Sequence, residues 1–211
     1  LAFWVGYGAA EIAHVVQRLK EIVLSSTRIF ADETTMRVLD PDRGKTKQSY
    51  FWVAARDDRA CGGADPPAVI YQYATRRAKR HADALLGGYR GIVQCDGYNA
   101  YKQLAGPARD DPPVKLAFCW SHMRRGFYNP AESGTSPIAT EALVRIAALY
   151  RIGAEIPGKA PAERLAKRQE LSRPLVTGLR VWFEAQLKTL PARGPMVEVI
   201  RYPLNHWAGL E

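Results

Sequence analysis

The sequence predicts a mixed α/β fold: a sheet with helices packed on it, followed by an all-helical part. Three observations lead there. Segments rich in β-branched and aromatic residues alternate with Pro/Gly punctuation in the first half of the chain. The element order reads strand, strand, strand, helix, strand, helix, strand, helix, which suits three antiparallel strands followed by crossovers. From Ser136-Pro137 onward only helical apolar spacing remains.

Taken in order, Ile12, Val15, Val16, Leu19, Ile22 and Val23 recur three and four residues apart, so residues 9–25 read as one amphipathic helix with a buried stripe. His14 lies on it and is read as an ordinary histidine of that helix. Strands follow at 28–39, at Tyr50 to Ala54 and at Ala68 to Tyr73, the first ending in the turn Asp40-Pro41-Asp42-Arg43-Gly44. The loop Cys61-Gly62-Gly63-Ala64-Asp65-Pro66-Pro67 is irregular. A helix over 76–86 stops at Gly87-Gly88. A strand at Gly91 to Cys95, a helical stretch at 98–105, a strand at 114–119 and a helix from about 120 complete this part. Ser136 caps a helix with Pro137 in its first turn, and further helices start near Pro161 and after Pro174. Pro195 to Leu210 reads as a last helix interrupted near Pro203.

A chain of 211 residues can bury a core, and 47% hydrophobic with 24% charged residues is an ordinary globular balance. The formal charge of +9 favours a polyanionic partner. Three scattered cysteines, Cys61, Cys95 and Cys119, make no disulfide framework and fit a reducing, cytoplasmic compartment. No membrane is expected, because no uncharged apolar run approaches the roughly 18 residues a span needs. The chain opens Leu-Ala-Phe-Trp-Val without Met, and is read as an internal or trimmed start.

Two short strings carry the chemistry: Phe30-Ala31-Asp32-Glu33-Thr34 and Val93-Gln94-Cys95-Asp96-Gly97-Tyr98. Each sets an aspartate at the end of a strand-like run, where carboxylates leave the sheet edge and retained waters can complete a magnesium site. If the first and fourth strands lie side by side, Asp32 and Asp96 meet, and metal-assisted attack on a phosphodiester is the natural chemistry. Glu33 faces away from Asp32 along the strand and is read as structural. Asp57 and Asp58, beside Arg56 and Arg59, are read as a solvated turn. The spacing Cys119-Trp120-Ser121-His122 is metal-like but lacks a second close pair, so no zinc is expected and Cys95 and Cys119 are read as buried. Arg124 and Arg125 are candidates for phosphate contact, with His122 at the start of their helix. Lys45 and Lys47, and Arg76, Arg77, Lys79 and Arg80, form further basic clusters.

These strings, with Val38-Leu39-Asp40-Pro41-Asp42-Arg43-Gly44-Lys45-Thr46-Lys47, Trp52-Val53, Arg56-Asp57-Asp58-Arg59, Gly62-Gly63-Ala64-Asp65-Pro66-Pro67 and Cys119-Trp120-Ser121-His122-Met123-Arg124-Arg125-Gly126-Phe127, resemble the transposases of the insertion-sequence-66 family in consistent order along nearly the whole chain. The resemblance implies a ribonuclease-H-like fold with a helical insertion, an acidic triad binding Mg²⁺ or Mn²⁺, and DNA cleavage and strand transfer. Asp32 would be the first triad member and Asp96 the second, both metal ligands. The third is a glutamate in an Asn-Asn-x-x-Glu-Arg type segment, which does not occur here. The role is not carried onto Glu211, and the chain is expected to stop short of that segment.

The expected organisation is an N-terminal helix at 1–27, a ribonuclease-H-like core at 28–135 and a helical insertion with incomplete C-terminus at 136–211. The expected protein is cytoplasmic and nucleoid-associated, binds transposon ends and target DNA through Arg124, Arg125, His122, Lys45 and Lys47, and is a homo-oligomer at full length. The alternatives are a non-catalytic DNA-binding or oligomerising remnant of a transposase and a stand-alone nuclease of the same fold.

Overall fold

The computed structural model describes residues 2–40, 43–106 and 114–211. They form two compact units, one from residues 1–58 and 64–117, the other from 59–63 and 118–211.

The first unit is built on a five-stranded mixed sheet ordered β3-β2-β1-β4-β5. Strands β1 (Arg28–Asp40), β2 (Lys45–Arg56) and β3 (Ala68–Ala74) are antiparallel neighbours, while β4 (Ile92–Cys95) runs parallel to β1 and is followed by β5 (Lys115–Phe118). The hairpin of β1 and β2 is longer than the sequence suggests, pairing from Phe30↔Ala55 to Asp40↔Lys45. The extension lies in β2, whose first residues, Lys45 to Gln48, are polar and exposed and have no apolar signature to reveal a strand. Of the expected turn at 40–44, Pro41 and Asp42 lie outside the described residues.

Side chains alternate across the pleat. Trp52, Ala54 and Arg56 point to one face with Ile29, Ala31 and Ile70, and all are buried. Onto this face pack α2 (Ala13–Leu24), through the bond from Arg56 to the Ile22 carbonyl, and α3 (Lys79–Leu86) and α4 (Asn99–Leu104), through ring contacts of His81 and Tyr101 with Trp52. Asp58 is no solvated turn residue: it accepts from Ser26 Oγ at 2.9 Å and pairs with Arg56 at 3.8 Å.

The expected single N-terminal helix is two, α1 (Ala2–Glu11) and α2, separated at Ile12. Its stripe is not buried as expected. Val15 and Val16 are exposed, Leu19 is half-buried and only Val23 is fully covered, because α2 reaches the sheet with its last turn alone.

Between α3 and β4 the chain turns through Gly91 at φ +153°. A Cβ there would lie 2.7 Å from the Thr27 carbonyl oxygen, which is itself fixed by accepting the Ile92 amide at 3.0 Å. Gly91→Ala is therefore expected to cost about 2 kcal/mol. Urea unfolding checks this, and an unchanged midpoint would show that the turn relaxes freely.

The second unit is helical: α5 (Trp120–Glu132), α6 (Pro137–Ala154), α7 (Pro161–Lys167), a π-turn (Arg168–Ser172), α8 (Arg173–Thr189), α9 (Pro195–Asn205) and a terminal 3-10 turn (Trp207–Gly209). Ser136 caps α6 as expected, accepting the Ala139 amide at 3.2 Å. Pro174 sits in the first turn of α8, where its missing N–H costs nothing. The core joins Met123, Phe127, Ile146, Leu179, Phe183, Ile200 and Trp207. Because α5 packs on α6 and α9, it belongs with this unit, and the division falls at 117/118 where the sequence suggests 135/136.

Candidate functional site

Asp96 follows the C-terminal end of β4, but Asp32 does not end its strand as the sequence suggests: it lies inside β1, two residues past the last pair with β4, because β1 runs on to pair with β2 as far as Asp40. The pairing Arg28↔Ile92, Ile29↔Val93 and Phe30↔Gln94, carried two residues further, sets Asp32 level with Asp96. Neighbouring strands are about 4.8 Å apart, so at the backbone the two positions are neighbours. The Asp32 side chain is exposed on the face opposite Trp52, with its Oδ1 accepting the Glu33 amide at 2.9 Å.

Asp96 lies one residue past the end of β4, and its carboxylate is held from two sides. Oδ1 accepts the Tyr98 amide at 2.9 Å, and Oδ2 lies 3.6 Å from an Arg77 guanidinium nitrogen. Arg77 also stacks over the Tyr98 ring at 3.7 Å and is ion-paired with Glu33. Glu33 shares the covered face with Trp52, its register partner, so this arrangement draws the Asp96 carboxylate toward Arg77 rather than across to Asp32.

Glu33 is the buried charge of this cluster, with its side chain 2% exposed. It accepts from the Tyr101 hydroxyl at 2.7 Å and from Arg77. Burial raises its pKa above the ordinary glutamate value, against the opposing pull of Tyr101 and Arg77. The partial burial of Arg77 works against its own charge and is outweighed by Glu33 and Asp96, so its pKa is raised. Burial beside Glu33 likewise pushes the Tyr101 hydroxyl well up, so it serves as a donor.

The sequence placed Arg77 among basic residues available to nucleic acid. The structure engages it instead with two carboxylates and a ring. An arginine far along the chain from Glu33 and Asp96 gives no sequence signal of that role.

The other predicted contacts are spread out. Lys45 is exposed on β2, and Lys47 is exposed but 3.6 Å from Asp40 across the hairpin. In the second unit Arg125 is exposed, whereas Arg124 is half-buried along Tyr128 and His122 is half-buried against the Tyr202 ring at 5.5 Å. Consecutive helix residues point about 100° apart, so Arg124 and Arg125 do not act as one fork. Cys95 is buried, but Cys119 is only half-buried, contrary to expectation, because it is the N-cap residue at the junction into α5. Among the described residues no group of three or more His, Cys, Asp or Glu is placed to hold a metal ion, and no helix is long and apolar enough to cross a membrane.

A family model described as "Transposase IS66 family" matches residues 1–211. The chain belongs to the IS66 transposase family. Three relatives come from Sinorhizobium fredii (strain NBRC 101917 / NGR234). "Uncharacterized protein y4qI" is 37% identical over 214 residues, covering 100% of this chain and 40% of the relative. "Uncharacterized protein y4jD" is 35% identical, covering 100% and 42%, and "Uncharacterized protein y4hP" is 34% identical, covering 99% and 40%. This IS66 chain thus spans about two-fifths of the length of the curated relatives it matches.

Proposed function

We propose that this IS66 chain carries the central part of a metal-dependent DNA transposase, with Asp32 and Asp96 as ligands of Mg²⁺ or Mn²⁺. The observation that supports the reading is the parallel pairing of β1 with β4, whose register, carried two residues past its last pair, brings positions 32 and 96 level on neighbouring strands. The strand order 3-2-1-4-5 supports a ribonuclease-H-like core.

The donor chemistry suits a hard divalent cation: two carboxylates on neighbouring strands, one of them exposed, with the Asp96 carboxylate turning from Arg77 toward Asp32 to share the ion. A bound cation there supplies charge stabilisation at phosphoryl oxygens and eases deprotonation of an attacking water or 3′-hydroxyl. The remaining work falls to the chain itself. The Tyr98 amide and Arg77 orient the Asp96 carboxylate, and Glu33, locked by Tyr101, anchors Arg77. Two carboxylates hold one ion and leave a second short of ligands. Strand cleavage by this chain alone is therefore expected to be weak. DNA, as transposon end and target, is the proposed partner, contacted by Arg125, Lys45 and Lys47, with Arg124 and His122 in supporting positions. A cytoplasmic, nucleoid-associated homo-oligomer is the proposed state of the full-length protein.

Mn²⁺ titration by calorimetry tests the metal site. Asp96→Asn and Asp32→Asn are each expected to weaken Mn²⁺ binding tenfold or more. Unchanged affinity in both would refute the assignment. For DNA, raising salt is expected to weaken duplex binding steeply, with Arg125→Ala reducing the salt slope by about one. Salt-independent binding would exclude phosphate contact.

A further inference from the structure

We infer that Arg77 is a built-in cation that competes with a divalent metal for the Asp96 carboxylate and so sets how tightly the site holds its metal. The inference deepens the metal reading given above and rests on it.

The competition follows from which groups can move. Asp96 Oδ1 accepts the Tyr98 amide at 2.9 Å, and Oδ2 lies 3.6 Å from Arg77 Nη2. To share an ion with Asp32, the carboxylate has to turn away from that nitrogen. Asp32 projects from the face opposite Trp52, whereas Glu33, which holds Arg77, lies on the Trp52 face. Arg77 does not follow the carboxylate. Its Nε and Nη2 both engage Glu33 Oε1, and its guanidinium stacks on the Tyr98 ring at 3.7 Å. Glu33 is itself buried and fixed by the Tyr101 hydroxyl at 2.7 Å. Among the described residues no cation is paired with Asp32, whose Oδ1 takes only the Glu33 amide. The competition therefore acts through Asp96 alone.

The strength of the pair decides what it can do. A guanidinium keeps its charge across the whole working pH range, so no proton loss releases Asp96. The Arg77 side chain is 39% exposed and that of Asp96 14%, and the two groups stand farther apart than a hydrogen bond. A partly screened pair of this kind shifts an equilibrium by about fivefold at most. That is enough to lower metal affinity measurably and too little to keep a divalent ion out.

Mn²⁺ titration followed by electron paramagnetic resonance of the free ion tests this on the whole chain as a double-mutant cycle. Arg77→Gln is expected to tighten Mn²⁺ binding about fivefold where Asp96 is present, and to change it less than twofold in Asp96→Asn. The cycle is repeated with Glu33→Gln in every member. That background leaves no buried carboxylate without its cation, so the comparison stands even if Arg77→Gln alone does not fold. Equal tightening with and without Asp96 would show a charge effect through space and overturn the proposal. Unchanged or weaker binding in an Arg77→Gln protein that circular dichroism shows to be folded overturns it too, and leaves Arg77 a structural residue. Asp96→Asn alone separates the inference from the reading beneath it. Full Mn²⁺ binding in Asp96→Asn removes Asp96 from the metal site, and the inference falls with it. A tenfold loss there without an Arg77 effect keeps the metal site and refutes the competition.

Discussion

Arg77→Ala is expected to destabilise the sheet unit by about 3 kcal/mol. The variant removes the cation that neutralises Glu33, whose carboxylate is 2% exposed and cannot turn to water without dismantling the contacts of Tyr101 and Trp52. The penalty should depend on pH in a direction set by Glu33. Its folded pKa lies above its unfolded value because burial disfavours the charged form. Between those two values the unfolded chain has released the proton while the folded chain keeps it, so this group lowers stability as pH rises through the window. Removing Arg77 raises the folded pKa further. The Arg77→Ala penalty should therefore be full near neutral pH and shrink as the pH falls below the range where Glu33 protonates. Urea unfolding of both proteins at several pH values measures it, and a penalty that grows on acidification would show that Glu33 is not the group responsible. Glu33→Gln combined with Arg77→Ala should recover part of the loss.

Phe127→Ala is expected to cost the helical unit about 4 kcal/mol. Phe127 is fully buried and lies nearly parallel to Phe183, with centroids 5.3 Å apart, and Phe183 in turn meets Trp207 edge-on. Truncation opens a cavity between α5 and α8 that neighbouring rings cannot fill without leaving their rotamers. Phe127→Leu, which keeps most of the volume, should cost about 1.5 kcal/mol or less. Tryptophan fluorescence during unfolding follows the change, since Trp120, Trp182 and Trp207 all belong to this unit. Equal losses for the two variants would show that the site collapses around the gap.

Much of the fold was legible in the chain because punctuation and periodicity agreed. The helices that begin at Pro137, Pro161 and Pro195 each open with proline in the first turn, where its lack of an N–H is harmless. The strands rich in Val, Ile, Tyr and Trp showed their type in a few residues. The outer half of β2, Lys45 to Gln48, did not, since its pairing with Arg37 to Asp40 buries nothing and leaves no apolar pattern. The N-terminal stripe misled for the opposite reason. Apolar spacing states which face could be buried, and Val15 and Val16 are apolar on a helix whose upper turns have no sheet beneath them.

At the site, Asp96 was legible as a carboxylate just past a short apolar strand, whereas Asp32, read as ending its strand, lies inside β1 because the polar residues beyond it continue the pairing with β2. The cluster around them was not legible. Glu33 was placed correctly away from Asp32 by simple alternation, but its partners Arg77 and Tyr101 come from segments that only the sheet order and the packing of α4 bring near. The exposed rings of the other face had a signal that could have been read. Val69, Tyr71 and Tyr73 alternate along β3, and alternation of large apolar residues beside buried Ile70 and half-buried Gln72 marks a strand with two apolar faces.

The most direct test of the central assignment is affinity cleavage with Fe²⁺ in place of Mg²⁺, in ascorbate and peroxide, followed by mass spectrometry of the fragments. A cation shared by Asp32 and Asp96 predicts backbone cuts near residue 32 and near residue 96 together, suppressed by excess Mg²⁺ and lost in Asp96→Asn. Cuts confined to other segments, or a pattern unchanged in Asp96→Asn, would contradict it.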